Sequence, residues 1–164
     1  MYEYRASVIK VIDGDTVDVD IDLGFGVMLK DERVRIMGID TPESRTRDKV
    51  EDLFGEAAKE RVKQLLSNKV KLKTQIAKNG EDMKGKFGRI LGDFEVYHSP
   101  TDSWRALTEI LIEEGHAVRY MGGSKEEIQA QHLANREKLL REGVVSKEAY
   151  DKLMEGEYKE EKDV

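Results

Sequence analysis

Two short segments place acidic side chains beside turn-forming residues and could together bind a divalent cation. Residues 13–16 (Asp-Gly-Asp-Thr) and residues 40–43 (Asp-Thr-Pro-Glu) each follow an apolar, strand-like run, about 25 residues apart. If the two preceding strands pair, Asp15, Asp40 and Glu43 come close together. Hard cations such as Ca²⁺ and Mg²⁺ prefer clustered carboxylate oxygens. The spacing therefore predicts a metal site at two adjacent strand ends.

Two arginines accompany these acids. Arg35 interrupts an otherwise apolar run at residues 34–37, and Arg89 follows Gly88. An arginine in an apolar strand must be paired or must face a pocket, because burying an unpaired charge is very unfavourable. The planar guanidinium group can hold a phosphate with two hydrogen bonds. Acids and arginines in this combination predict metal-assisted phosphodiester chemistry.

Each acidic segment also has a purely structural explanation. Aspartate is common in hairpin turns because its side chain bonds to nearby backbone groups, and proline ends strands because it has no N–H to donate. The conjunction of two acidic turns with Arg35 favours a functional site. Residues 18–22, with aspartate at every second position, do not fit a calcium loop, since Leu23 and Leu29 stand where that loop needs glycine and glutamate.

The hydrophobic pattern predicts a β-rich α+β fold. Period-2 and period-3.6 patterns indicate strands at residues 4–12, 17–23, 27–39, 69–76 and 88–96, and three main helices at residues 54–66, 104–115 and 125–141. A single helix between strands argues against a parallel α/β sheet. Five strands with a helix after the third favour a five-stranded OB-fold barrel.

A short helical, acidic tail is predicted to follow the barrel domain. Residues 1–142 form the predicted domain and residues 143–164 the tail, in which a fourth helix starts near Ser146 and stops at Gly156. The tail carries eight acidic residues and four lysines from residue 142 onward, whereas residues 69–89 carry seven basic residues and two acidic ones. We interpret both charge runs first as solvated surface.

Composition excludes several classes of function. The chain has no cysteine, which excludes disulfides, thiolate zinc sites and cysteine nucleophiles. A net charge of -6 argues against a protein that holds nucleic acid mainly by overall charge. No signal peptide or membrane-spanning run is visible, so we expect a cytoplasmic chain, while secretion from a longer precursor stays open.

The three histidines do not have the spacing of a zinc site. His132 shares a helical stripe with Ile128 and Leu139. This placement favours a partly buried, hydrogen-bonded histidine over a catalytic one. Motifs of serine hydrolases and P-loop nucleotide triphosphatases are absent from the sequence.

Three segments resemble a known family. Residues 11–17 (Val-Ile-Asp-Gly-Asp-Thr-Val), residues 34–43 (Val-Arg-Ile-Met-Gly-Ile-Asp-Thr-Pro-Glu) and residues 86–89 (Lys-Phe-Gly-Arg) match the thermonuclease, or staphylococcal nuclease, family in order and separation. The chain looks most like the short bacterial or phage-encoded members, from about residue 5 to residue 141. The family fold is a five-stranded OB barrel with three helices, as the hydrophobic pattern also predicts.

The resemblance implies a calcium-dependent endonuclease. In the family, the residues matching Asp15, Asp40 and the backbone carbonyl of Thr41 bind calcium. The residue matching Glu43 acts as general base for the attacking water. The matches of Arg35 and Arg89 hold the scissile phosphate, and the matches of Lys86 and Tyr120 lie near the nucleotide.

The expected substrate is single-stranded or frayed DNA, RNA or both, without membrane contact, and the expected state is a monomer. Because free calcium is scarce in the cytosol, another divalent cation is an alternative cofactor. Two other functions remain open from the sequence. One is an OB-fold module that binds nucleic acid without cutting it, although the 7% aromatic content offers few stacking residues. The other is a phage or bacterial interaction protein whose acidic helical tail docks a partner.

Overall fold

The computed structural model describes residues 2–66, 69–75, 88–120 and 124–162. It contains a β-barrel with helices on its outside. The strands are β1 (Glu3–Asp13), β2 (Thr16–Asp22), β3 (Met28–Ile36), β4 (Ile39–Asp40), β5 (Lys69–Thr74), β6 (Ile90–His98), β7 (Ser103–Ala106) and β8 (Val118–Arg119). The helices are α1 (Lys49–Leu65), α2 (Leu107–Glu114), α3 (Lys125–Arg141) and α4 (Lys147–Lys162).

Five strands close into the barrel. Hydrogen bonding runs in the order β3-β2-β1-β5-β6, and β3 pairs in parallel with β6 to complete the ring. On β2 the apolar residues Val17, Val19 and Ile21 are buried in the barrel core, while the alternating aspartates face outward. The predicted α+β barrel of the OB type is thus confirmed.

Two predicted boundaries around the barrel are wrong. Trp104 was expected in a helix but lies in β7, where it pairs with Tyr97 of β6, and α2 starts only at Leu107. The predicted third strand is interrupted after Ile36. There Gly38 adopts a positive φ of 84°, which glycine tolerates, so the chain bends before the short strand β4 pairs with β8.

The C-terminal helix is longer than predicted. Gly156 was expected to end it, but α4 continues to Lys162. A glycine inside a helix costs only about 1 kcal/mol relative to alanine, and strong helix formers follow it here. Helix α4 packs against α1, with the rings of Phe54 and Tyr150 6.1 Å apart. This contact belongs to a second core cluster that lies outside the barrel.

None of the helices in the described part of the chain is both long and apolar enough to cross a membrane.

Candidate nuclease site

The two acidic turns predicted from the sequence lie against each other. A Cβ added at Gly14, in the turn between β1 and β2, would be 3.3 Å from the Cβ of Thr41. In addition, the Ser44 hydroxyl donates a hydrogen bond to the Asp13 carboxylate. The first turn and the segment after β4 are therefore in direct contact, and Gly14 allows the backbone to approach this closely.

Arg35 joins the two segments. Its Nη1 lies 3.2 Å from Asp15 Oδ2 and donates to the Ile36 carbonyl at 2.5 Å, while its Nη2 lies 3.5 Å from the Ile39 carbonyl. Ile39 immediately precedes Asp40. The Arg35 side chain is about three-quarters buried. The arginine predicted to be paired or to face a pocket thus lies between the first acidic turn and the second.

Asp40 has a partner that sequence reasoning did not connect to the site. His132 Nε2 of α3 lies 2.6 Å from Asp40 Oδ2, and the histidine is only 9% exposed. The predicted partly buried, hydrogen-bonded histidine is present, but its partner is a predicted metal ligand. No local pattern could have identified this contact, because the two residues are 92 positions apart in the chain.

Glu43 lies at the surface, and its backbone rests on α1. A Cβ added at Gly55 would be 2.3 Å from the Glu43 carbonyl oxygen, so only glycine permits this contact. Asp48 caps α1 by accepting bonds from the first backbone N–H groups of the helix. The Arg45 N–H donates to Asp52 of the same helix at 2.6 Å. The helix start and Gly55 together fix the segment that carries Glu43.

Replacing Gly55 with alanine is expected to separate α1 from the Glu43 segment. In the exposed interior of a helix, replacing glycine with alanine stabilises the folded protein by about 1 kcal/mol. At Gly55, however, the new methyl group would overlap backbone atoms of Glu43 and Ser44. We expect the free energy of unfolding to fall by about 1 to 3 kcal/mol in urea titrations.

Gly156→Ala is the matched control for this change. Gly156 lies in α4 with no atom within 4 Å of an added Cβ, so alanine there should stabilise by a few tenths to about 1 kcal/mol. A Gly55→Ala variant as stable as the wild type would show that the close packing against Glu43 is not needed.

Arg89 lies immediately before the adjoining strand β6. It directly precedes Ile90, which pairs with Val34, the neighbour of Arg35. It lines a cavity of about 550 Å³, whose described lining is Ile12, Asp13, Thr16, Asp18, Asp31, Arg33 and Arg89. Arg89 is therefore close to the first acidic turn, although Arg35 and Asp40, both described, do not line this cavity.

Arg33, the other arginine of the cavity, is held by an acid. Its Nε and Nη2 donate to the two Asp18 carboxylate oxygens at 2.8 and 3.1 Å. The Asp18 hydrogen bonds raise the pKa of the Arg33 guanidinium above its usual value. Both Asp18 oxygens engage the Arg33 guanidinium, and Arg35 and Arg89 stay the predicted phosphate ligands.

Of the two predicted substrate-binding residues, the structure describes only Tyr120. Tyr120 is 54% exposed, and its N–H donates to the Gly38 carbonyl at 2.9 Å, next to the second acidic segment. Lys86 lies outside the described residues.

Comparison with known proteins identifies the family. The family model described as "Staphylococcal nuclease homologue" matches residues 33–146, well over half of the chain. The chain belongs to the staphylococcal nuclease family. The match starts within β3 at Arg33 and continues past the end of α3, so it includes Arg35, Asp40, Glu43 and Arg89 but not the first acidic turn.

A curated relative of this staphylococcal nuclease family chain is a thermonuclease of Staphylococcus intermedius. The two are 34% identical over 119 residues, covering 61% of this chain and 64% of the relative. The chain thus spans slightly less than two thirds of the length of the relative that it matches.

The donor atoms in the site suit a hard divalent cation. Asp15 and Asp40 offer carboxylates, and Thr41 adds a backbone carbonyl on a segment in contact with the first turn. Asp40 uses Oδ2 for His132, and Asp15 accepts a bond from its neighbour Thr16. Across the described ranges, no three histidine or acidic side chains are grouped so that they could hold a metal. Asp15, Asp40 and the Thr41 carbonyl stay the predicted ligands, and three protein ligands are fewer than the six to eight oxygens that calcium takes.

Proposed function

We propose that this chain is a divalent-metal-dependent endonuclease that hydrolyses phosphodiester bonds of DNA, RNA or both. The observation that carries the proposal is the position of Arg35 between Asp15 and the carbonyl that precedes Asp40. An arginine and two carboxylates on contacting segments can hold a phosphate and a cation side by side. Family membership and the thermonuclease relative support the same activity.

Asp15, Asp40 and the carbonyl of Thr41 are the proposed metal ligands, with calcium the preferred cation and another divalent ion the alternative. When bound, the cation would supply charge neutralisation to the phosphate and to the developing transition state. Asp40 would be held in its binding orientation by His132 of α3, which is only 9% exposed.

Arg35 and Arg89 are the proposed phosphate ligands. Their guanidinium groups can donate charge-assisted hydrogen bonds to the non-bridging oxygens, where negative charge increases during in-line attack. Donors that are already fixed in place need no reorganisation during the reaction. The partly buried hydrogen bonds that Arg35 donates to the backbone oxygens of Asp15 and Ile36 provide such fixation.

Glu43 is the proposed group that orients or deprotonates the attacking water. Its segment is anchored on α1 through Gly55, while the residue itself is exposed to solvent. A carboxylate accessible to water on a fixed backbone is suited to general-base catalysis. Tyr120 and Lys86 are proposed to contact the nucleotide.

The decisive experiment is a cleavage assay with the purified chain. A labelled single-stranded DNA and a labelled RNA are incubated with calcium, with magnesium, with manganese and with chelator. We expect cutting with calcium and none with chelator. Binding of the strand without cutting under every metal condition would reject the enzyme and favour a non-catalytic OB-fold module. Neither binding nor cutting would leave an interaction protein as the better description.

His132→Ala is expected to weaken calcium binding by about 10- to 100-fold, because loss of a hydrogen bond that orients a ligating carboxylate typically has this effect. The measurement is isothermal titration calorimetry, which does not depend on turnover. His132→Gln places an amide near the position of Nε2 and should restore much of the affinity. If the alanine variant binds calcium as the wild type does, His132 only supports the fold.

The division of the chain at residue 142, the monomeric state and the cytoplasmic location stay predictions.

A further inference from the structure

A cleft with three lysines lies between β1 and α1, next to the candidate site. It has a volume of about 320 Å³, and its described lining is Val8, Ile9, Lys10, Val11, Lys59, Lys63 and Leu66. We call it the lysine cleft. Lys59 and Lys63 are one helical turn apart on α1, and Lys10 reaches the cleft from the opposing strand. Three cations thus surround an apolar surface.

The cations of the lysine cleft are weakly neutralised by the protein. Among the described residues, Lys10 and Lys59 form no ion pair, and Lys63 has only a solvent-exposed contact of 3.9 Å with Glu60. Exposed pairs of this kind contribute little free energy. The cluster is positively charged, whereas the whole chain has a net charge of -6. An anionic partner would relieve the mutual repulsion of the three ammonium groups.

The lysine cleft adjoins the first acidic turn. Lys59 follows Ala58, whose Cβ would lie 3.0 Å from a Cβ added at Gly14. On β1, Lys10 lies three residues before Asp13, a distance of about 10 Å along the strand. Asp13 of the same turn also lines the cavity that contains Arg89. The first acidic turn therefore adjoins the lysine cleft on one side and the cavity that Arg89 lines on the other.

We propose that the lysine cleft binds backbone phosphates of the single-stranded nucleic acid on one side of the bond that is cut. This inference rests on the proposed function. Lysine ammonium groups attract phosphates without sequence preference, and the apolar floor, where Ile9 is 51% exposed, can contact sugars and bases. Local concentration of charge in this cleft explains how an acidic protein binds a polyanion.

The double variant Lys59→Gln/Lys63→Gln tests this binding surface, since glutamine keeps helix propensity while removing two charges. Binding of a fluorescent single-stranded oligonucleotide is measured in chelator at salt concentrations between about 50 and about 200 mM. Each lost phosphate contact lowers the magnitude of the salt slope by about 0.7, so two lower it by about 1.4. Over this range the wild type would lose about sevenfold more affinity than the variant.

The matched control is Lys147→Gln/Lys152→Gln in α4. It removes the same charge, and Lys152 has an exposed 3.9 Å contact with Glu148 that resembles the contact of Lys63. The control should keep the wild-type slope. Equal slope reductions in both variants would indicate an effect of net charge and overturn the proposal, as would a wild-type slope in the cleft variant.

Two further outcomes distinguish failure of the lysine-cleft proposal from failure of the proposed nuclease function. Because binding is measured in chelator, a wild type that binds with the expected slope but never cuts would reject the nuclease activity and keep the lysine cleft. A wild type that cuts, with an unchanged slope in the cleft variant, would reject only the cleft. If the cleft variant lost affinity for polyglutamate but not for the oligonucleotide, an acidic peptide would be the ligand and the proposal would fail. Urea titrations of each variant verify that it is folded.

Discussion

Arg35→Lys is expected to lower the cleavage rate by about 10² to 10³, nearly as much as Arg35→Ala. Lysine keeps the positive charge but lacks the planar fork that can engage two phosphate oxygens. The two terminal nitrogens of Arg35 also contact different groups of the protein. Nη1 lies 3.2 Å from Asp15 Oδ2, and Nη2 lies 3.5 Å from the Ile39 carbonyl oxygen. A single ammonium group cannot span both positions. Single-turnover rates with saturating single-stranded DNA and calcium measure the effect.

Arg105→Lys is the control for this substitution. Arg105 also forms a two-pronged pair, with Glu113 at 2.7 and 2.9 Å, but it lies on β7. This variant should keep wild-type cleavage. Full activity in Arg35→Lys would remove Arg35 from phosphate binding. Since the Arg35 contacts also tie the two acidic turns together, urea titrations of each variant are needed to separate lost chemistry from lost structure.

Glu43→Gln is expected to reduce turnover by about 10² to 10⁴ while oligonucleotide binding persists. Glutamine preserves the shape of the side chain but cannot accept the proton of the attacking water. In the described part of the chain, the Glu43 carboxylate makes no hydrogen bond or ion pair, so the folded state should lose less than about 0.5 kcal/mol. The predicted pattern is therefore loss of turnover with unchanged stability and unchanged or tighter binding.

Glu56→Gln provides the comparison for Glu43. It makes the same charge change on the exposed surface of α1, directly after Gly55. Cleavage by this variant should match the wild type. If Glu43→Gln retained near wild-type turnover across pH, water activation would have to come from another group, and the metal ligands would become the first candidates.

Much of the fold could be predicted because its information is local. Alternating apolar residues identify β2 as a strand with one buried face, and the acidic turns mark the ends of strands. Failures occurred where local preference was weak or was overridden. Trp104 is compatible with either a helix stripe or a strand, and in the structure it pairs with Tyr97 and belongs to β7. Gly156 suits a helix end, but the surrounding residues continue α4.

The acids and arginines of the candidate site were predicted from residue type and spacing, whereas Thr41, Lys86 and Tyr120 were predicted from the family resemblance. Two acidic turns, an arginine within an apolar strand and a second arginine after a glycine are features of the linear chain, and the chemistry of carboxylates and guanidinium groups limits what they can bind. The lack of cysteine in the sequence likewise excludes thiolate chemistry.

Only the tertiary structure could reveal which distant residues support that site. The contact of His132 with Asp40, the packing of Gly55 on Glu43 and the grouping of Lys10 with two lysines of α1 all join separate elements. Periodicity and turn chemistry describe a segment with respect to its own neighbours. Contacts between segments depend on how the whole barrel and its helices pack, and many weak interactions summed over the core set that packing.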